Sequence, residues 1–131
     1  MPAYTPEECD LRFGEYLNAG DLTSLIALYE PTCVMVQRTG GLLVGAAAIR
    51  ADFERLLAMK PRIDLAIVKV VAAGEGLAML YDDWTLSTTG PDGQPMTRAG
   101  KAIEVVRRQA DGTWRIAVDD PFARGGGEGR G

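Results

Sequence analysis

Residues 63 to 119 constrain the fold more than any other part of the chain. Strand-like runs at Ile63–Ala73, Leu77–Thr88, Thr97–Arg108 and Trp114–Asp119 follow one another with only short connections. Those connections are Ala73-Gly-Glu-Gly76, Pro91-Asp-Gly93 and Asp111-Gly112. They hold the residues that tight reversals favour. A parallel pair would need a crossover of about a dozen residues or more, so strands joined this closely form an antiparallel meander.

The preceding residues read as helices. Thr5-Pro6-Glu7-Glu8 has the form of a capping box, with Thr at the cap, Pro in the first turn and Glu three residues on. Apolar residues then recur at Cys9, Phe13, Tyr16 and Leu17, one helical stripe. Gly20 ends that helix, and Asp21 caps a second from Leu22 to about Tyr29, stopped by Pro31. Val34–Val36 and Leu42–Val44 flank Gly40-Gly41 as a small hairpin. A third helix is expected from Ala46 to Lys60, with Ile49, Phe53, Leu56 and Leu57 on its apolar face and Pro61 beyond its end. The fold class is therefore α+β: three N-terminal helices packed on a curved antiparallel sheet, with a conical pocket between them. Residues 1–124 form one domain, and the Gly-rich segment 125–131 is expected to be a disordered tail.

Composition narrows the chemistry. A chain of 131 residues with net charge −4 and no basic cluster beyond Arg107-Arg108 is poorly suited to nucleic acid or to an anionic membrane. No apolar run is long enough to span a bilayer. Met1–Glu8 has neither the basic start nor the apolar stretch of a secretion signal, which makes the cytoplasm the expected compartment. Cys9 and Cys33 fit no metal or redox spacing and read as small buried side chains. The chain has no histidine. Ser-His-Asp and Cys-His catalysis and histidine-containing zinc sites are thereby excluded, and proton transfer falls to Asp, Glu, Tyr, Lys or water. No metal and no organic cofactor is assigned.

Further motifs are Leu17-Asn-Ala-Gly-Asp-Leu22, Leu25-Ile-Ala-Leu-Tyr29, and Gly45 followed by Ile49 and Phe53. Gly100-Lys-Ala-Ile-Glu-Val-Val-Arg-Arg108 and Asp111-Gly-Thr-Trp-Arg-Ile116 continue the series. In order and spacing, residues 5 to 122 resemble the nuclear transport factor 2-like superfamily, also called SnoaL-like or ketosteroid-isomerase-like. The resemblance implies a cystatin-like α+β fold, a small-molecule pocket, and a homodimer formed through the outer sheet face. That face would carry Met79, Tyr81, Ile103 and Val105, mixed with Lys101 and Arg107. Ketosteroid isomerases use an Asp base and an oxyanion hole of Tyr plus a protonated Asp. By similarity these roles fall on Gln37, Phe13 and Glu104. Only Glu104 keeps the chemistry, which argues against steroid-type isomerisation.

Strand alternation then selects the acids. Gly100, Ala102, Glu104 and Val106 share one face, and the isomerase similarity turns it towards the pocket. By the same similarity Leu80, Asp82, Trp84 and Leu86 face inward, and Asp83 outward. On the last strand Ala117 and Asp119 are assigned to the pocket wall, opposite Trp114, Ile116 and Val118. Glu104, Asp119 and Asp82 are the candidate acid–base residues. Phe13, Tyr16, Leu17, Gln37, Phe53, Leu80, Trp84, Ala102 and Ala117 are the candidate ligand contacts. A competing reading pairs Glu104 with Arg98, Arg115 or Arg124 and treats Asp119-Asp120-Pro121 as a strand end and turn. Two functions remain open: an isomerase, cyclase or dehydratase acting on a small apolar molecule, or a non-catalytic binding module.

Overall fold

The computed structural model describes residues 1–128. Helix α1 (Pro6–Ala19) starts where the capping box lies. The Thr5 hydroxyl accepts from the Glu8 amide at 3.3 Å, and the Glu8 carboxylate accepts from the Tyr4 amide at 2.7 Å. Gly20 ends the helix at φ 71°, the left-handed conformation that glycine adopts without steric cost. Asp21 caps the short helix α2 (Leu22–Ile26) through the Ser24 amide.

Strand β1 (Tyr29–Val36) begins directly afterwards. Tyr29 is therefore a strand residue and not the end of a helix, and Pro31 lies inside the strand. The strand tolerates it where the β1 register shifts between Tyr29 and Val34, since Pro cannot donate to a regular ladder. Strand β2 (Leu42–Val44) completes the hairpin. Helix α3 (Ala46–Leu57) stops three residues short of Lys60, which turns at a positive φ of 51°.

Strands β3 (Arg62–Ala73), β4 (Leu77–Thr89), β5 (Pro95–Arg108) and β6 (Trp114–Asp120) form the expected meander. The sheet order is β2-β1-β6-β5-β4-β3. One departure from the antiparallel expectation is that β1 runs parallel to β6; α3 and the long strands intervene in sequence and supply the crossover that a parallel pair needs. The Gly-rich tail is a second departure. Gly126–Glu128 forms a short strand, β7, that pairs with Arg98–Gly100 of β5; residues 129–131 lie outside the described residues.

Helix α1 lies across the sheet and is fastened to β3 by one side chain. Asn18 accepts from the Ile63 amide at 2.7 Å and donates to the Ile63 carbonyl at 3.0 Å. The core beneath the helices contains Leu17, Leu25, Ile49, Phe53, Leu80, Val106 and Ile116.

Past β6 the chain folds back over β4 and β5. The Trp84 indole donates to the Pro121 carbonyl at 2.8 Å, and its ring meets Phe122 edge-on with centroids 5.3 Å apart. Gly100 makes this crossing possible. A Cβ there would lie 2.5 Å from the indole and 2.8 Å from the Pro121 carbonyl oxygen. Gly100→Ala is expected to cost about 1–3 kcal/mol through forced displacement of Trp84. Urea unfolding read with the Trp84 indole N–H resonance tests this; unchanged stability and an unmoved resonance would contradict it.

Candidate functional site

A cavity of about 520 Å³ opens between the helices and the concave face of the sheet. Phe13 and Leu17 of α1, Phe53 and Leu56 of α3, and Leu65, Trp84 and Leu86 of the sheet supply apolar wall. Asp52 and Arg55 of α3 and Arg98 of β5, the register partner of Leu86, also line it. On its buried side lie Asp10, Asp82, Glu104 and Asp119. Below these, Leu80 and Val106 are completely buried and close the floor.

Each acid reaches this floor for a local reason. Asp82 and Glu104 are inward positions of β4 and β5, and unbroken pairing of the two strands holds their alternation in step. Glu104 is the register partner of Asp119 on β6. Asp119 faces inward because β6 contains a bulge: Val105 pairs with Val118 while Val106 pairs with Ile116, which leaves Ala117 without a partner. The extra residue resets the alternation. Ile116 and Asp119 therefore share the cavity, while Ala117 is buried outside its lining. The sequence expectation for Ala117 is corrected on this point.

Three other expected contacts are also corrected. Tyr16 lies off the Asp10–Phe13–Leu17 stripe of α1, and its hydroxyl donates instead to the Met1 carbonyl. Gln37 is exposed because β1 ends at Val36, and it sits in the β1–β2 turn, where its carbonyl accepts from Gly40. Met35 is the β1 residue that lines the cavity. Leu80 belongs to the core below the cavity and not to its wall. Phe13, Leu17, Phe53, Trp84 and Ala102 do line it.

Asp10 is the acid that sequence reasoning missed. It precedes Phe13 and Leu17 by three and seven residues, so the helical period places all of them on one face. An acid in step with an apolar stripe was the available signal. Asp10, Asp82 and Glu104 each place one carboxylate oxygen within 4.8 Å of the others. They are the group among the described residues that could hold a cation.

Burial dominates the electrostatics. Asp10, Asp82, Glu104 and Asp119 are 3%, 1%, 5% and 6% exposed. Loss of hydration is the largest cause of a raised carboxyl pKa at every one. The Asp10 carboxyl is pushed up to about 8, with the neighbouring Asp82 and Asp119 charges adding to the rise. Glu104 is driven well above the usual range by burial and then by the charges of Asp10 and Asp119. Asp119 is pushed up by burial to about 7, and a hydrogen bond from Tyr29 works in the opposite direction. The Tyr29 hydroxyl donates to Asp119 Oδ2 at 2.6 Å. Its ring packs against Phe53, which in turn meets Phe13, with centroids 5.7 and 5.9 Å apart.

Arg124 does not pair with Glu104. Its guanidinium donates to the Asp82 and Ala102 carbonyls and to the outward-facing Asp83 carboxylate, at 2.9 to 3.2 Å for the shortest contacts. Lys101 also pairs with Asp83, at 3.3 Å. The arginine thus ties the fold-back segment to β4 and β5 from outside the cavity.

A curved sheet covered by three helices defines the cystatin-like α+β class. The chain belongs to the SnoaL-like domain family, whose model matches residues 11–117. No curated protein matches it in sequence. A conserved protein from Planctomyces limnophilus is similar in structure at TM-score 0.81 and 19% identity, over 88% of this chain and 91% of that one. A ketosteroid isomerase-like protein from Erwinia carotovora atroseptica aligns at 0.75 and 18%, over 87% and 89%. A protein from Streptomyces avermitilis described as a candidate dehydratase of the NTF2-like family aligns at 0.71 and 18%, over 89% and 93%. At these identities the likeness establishes the fold.

The raised pKa values make stability depend on pH. Between the ordinary Asp value of 3.8 and about 8, the folded chain keeps protons that the unfolded chain has released. Stability is therefore full below that window and is lost as pH rises through it. The urea midpoint should fall from pH 5 to pH 8.5, and Asp10→Asn should flatten the decline; a flat profile for the native chain would refute the assignment. Tyr29→Phe removes the donor to Asp119, so it should raise the Asp119 pKa further, as read by carboxyl-carbon NMR. It should also destabilise the fold by about 1–3 kcal/mol.

Proposed function

We propose that this SnoaL-like chain is a small-molecule pocket protein that acts as an isomerase, cyclase or dehydratase on a small apolar compound. It uses the acid–base chemistry of its own carboxylates and requires no metal or organic cofactor. The observation that carries this reading is the pairing of unlike acids in one apolar cavity. Glu104 and Asp119 stand opposite each other on neighbouring strands. Burial and neighbouring charge favour the protonated form of Glu104, while the Tyr29 hydrogen bond favours the ionised form of Asp119. Carboxyls whose environments push their pKa values apart can serve as acid and base in one reaction.

In a dehydration, Asp119 would take the proton from carbon and Glu104 would protonate the departing hydroxyl, which leaves as water. In an isomerisation, Asp119 would move the proton while Glu104 hydrogen-bonds the developing oxyanion. Asp82 would tune Glu104 through their proximity. The fold neighbour described as a candidate dehydratase agrees with this class of chemistry. Turnover should fall about 10²- to 10⁴-fold in Glu104→Gln if it transfers a proton. An unchanged rate on a compound that the native protein converts would defeat the assignment.

Phe13 and Gln37, at the isomerase-like Tyr and Asp positions, favour a second reading: a non-catalytic binding module of the same fold. Saturable binding with no conversion over hours would decide for it. The outer sheet face, where Met79, Tyr81, Ile103 and Val105 are half-buried, is the surface through which we expect the chain to pair with a second copy. Sedimentation should give a dimer that Val105→Lys converts to a monomer; a monomeric native protein would remove this expectation.

A further inference from the structure

The floor of the cavity gathers more acceptors than the described chain supplies with donors. Asp10 Oδ2, both Asp82 oxygens and Glu104 Oε1 are sealed from solvent, and no described donor outside the acid cluster reaches them. Cations with visible partners are engaged elsewhere: Arg12 with Glu15, Arg107 with Glu30, and Lys101 and Arg124 with Asp83. Buried acceptors without donors are costly, and a ligand that brings donors would relieve the cost.

We propose that the closed end of the cavity receives the charged nitrogen of an apolar primary amine. The proposal rests on the pocket reading above and names the class of molecule that fills it. The three N–H groups of an ammonium bond Asp10, Asp82 and Glu104, and the apolar body lies along Phe13, Leu17, Phe53 and Trp84. The dimensions agree. Three acceptors around one ammonium, each about 2.8 Å away, stand about 4.6 Å apart, and the three carboxylate oxygens lie within 4.8 Å of one another. They come from three separate elements, α1, β4 and β5. Aromatic walls suit the same ligand, because flat rings pack against its apolar body.

A divalent metal would feel the same field but fits the surroundings less well. Hard cations take about six to eight oxygen ligands. Beyond the trio, the lining near the floor adds the Asp119 carboxylate among apolar side chains such as Ala102, Ile116 and Met35. A neutral alcohol would satisfy one acceptor and leave the others bare.

The test is a matched titration at pH 7.5 of 2-phenylethylamine and 2-phenylethanol, followed by calorimetry and by the Trp84 indole N–H resonance. The amine is expected to bind at least tenfold more tightly. Asp10→Asn and Asp82→Asn should each abolish that preference, and a retained far-ultraviolet circular dichroism spectrum shows that each variant is folded. Alcohol binding equal to or tighter than the amine would overturn the proposal and leave the pocket reading standing. Failure of both ligands to bind would overturn the two together. Addition of MnCl₂ supplies the last arm: manganese binding that displaces the amine would reassign the trio to a metal.

Discussion

Burying four carboxyls together at the floor of an apolar cavity is the constraint on which the rest of the architecture depends. Each of the four is less than a tenth exposed. A free chain would keep them apart and hydrated. Here α1, β4, β5 and β6 each deliver one acid, and the fold tolerates the outcome because burial raises the pKa values until protons remain in the cluster. Stability and electrostatics are thus linked: the same desolvation that makes the site costly as the pH rises favours the acid form of Glu104. Tyr29 breaks the symmetry by donating to Asp119, while the hydrogen bonds of Asp10, Asp82 and Glu104 run among themselves.

Much of the remaining structure serves to hold that floor. Asn18 fixes the height and rotation of α1 against β3, and with it the position of Asp10. The bulge at Ala117 turns Asp119 inward beside Glu104. The fold-back after β6, seated on Gly100 and tied down by Arg124, walls off the side of the cavity next to Trp84. The two faces of β4 then divide the charge, with Asp82 enclosed and Asp83 meeting Lys101 and Arg124 outside.

Local reasoning reached far along this chain because much of it is locally encoded. The capping box, the glycine stop at Gly20 and the hairpin turns are short-range devices, and the structure forms all of them where the residues require. Period-two alternation placed Asp82, Trp84, Ala102 and Glu104 on one face because β4 and β5 pair without a break. The same rule failed for Ala117, since a bulge inserts a residue that alternation cannot register. Gln37, assigned by family similarity, missed the cavity because the strand ends at Val36. Tyr29 was misplaced because a helical apolar period continues into a strand residue, and the pairing of β1 with β6 settles the matter through contacts almost ninety positions away in sequence.

The sequence by itself determined the class of fold and the absence of histidine chemistry, which follow from composition and from periodicities of a few residues, and alternation together with the family resemblance selected the acids on the two central long strands. Only the tertiary structure decided that Asp10 joins them and that Tyr29 bonds Asp119. It alone decided that Arg124 turns outward to Asp83. These are relations between elements distant in sequence. They depend on how a helix is rotated over a sheet and where a strand bulges, and packing across the whole core sets both.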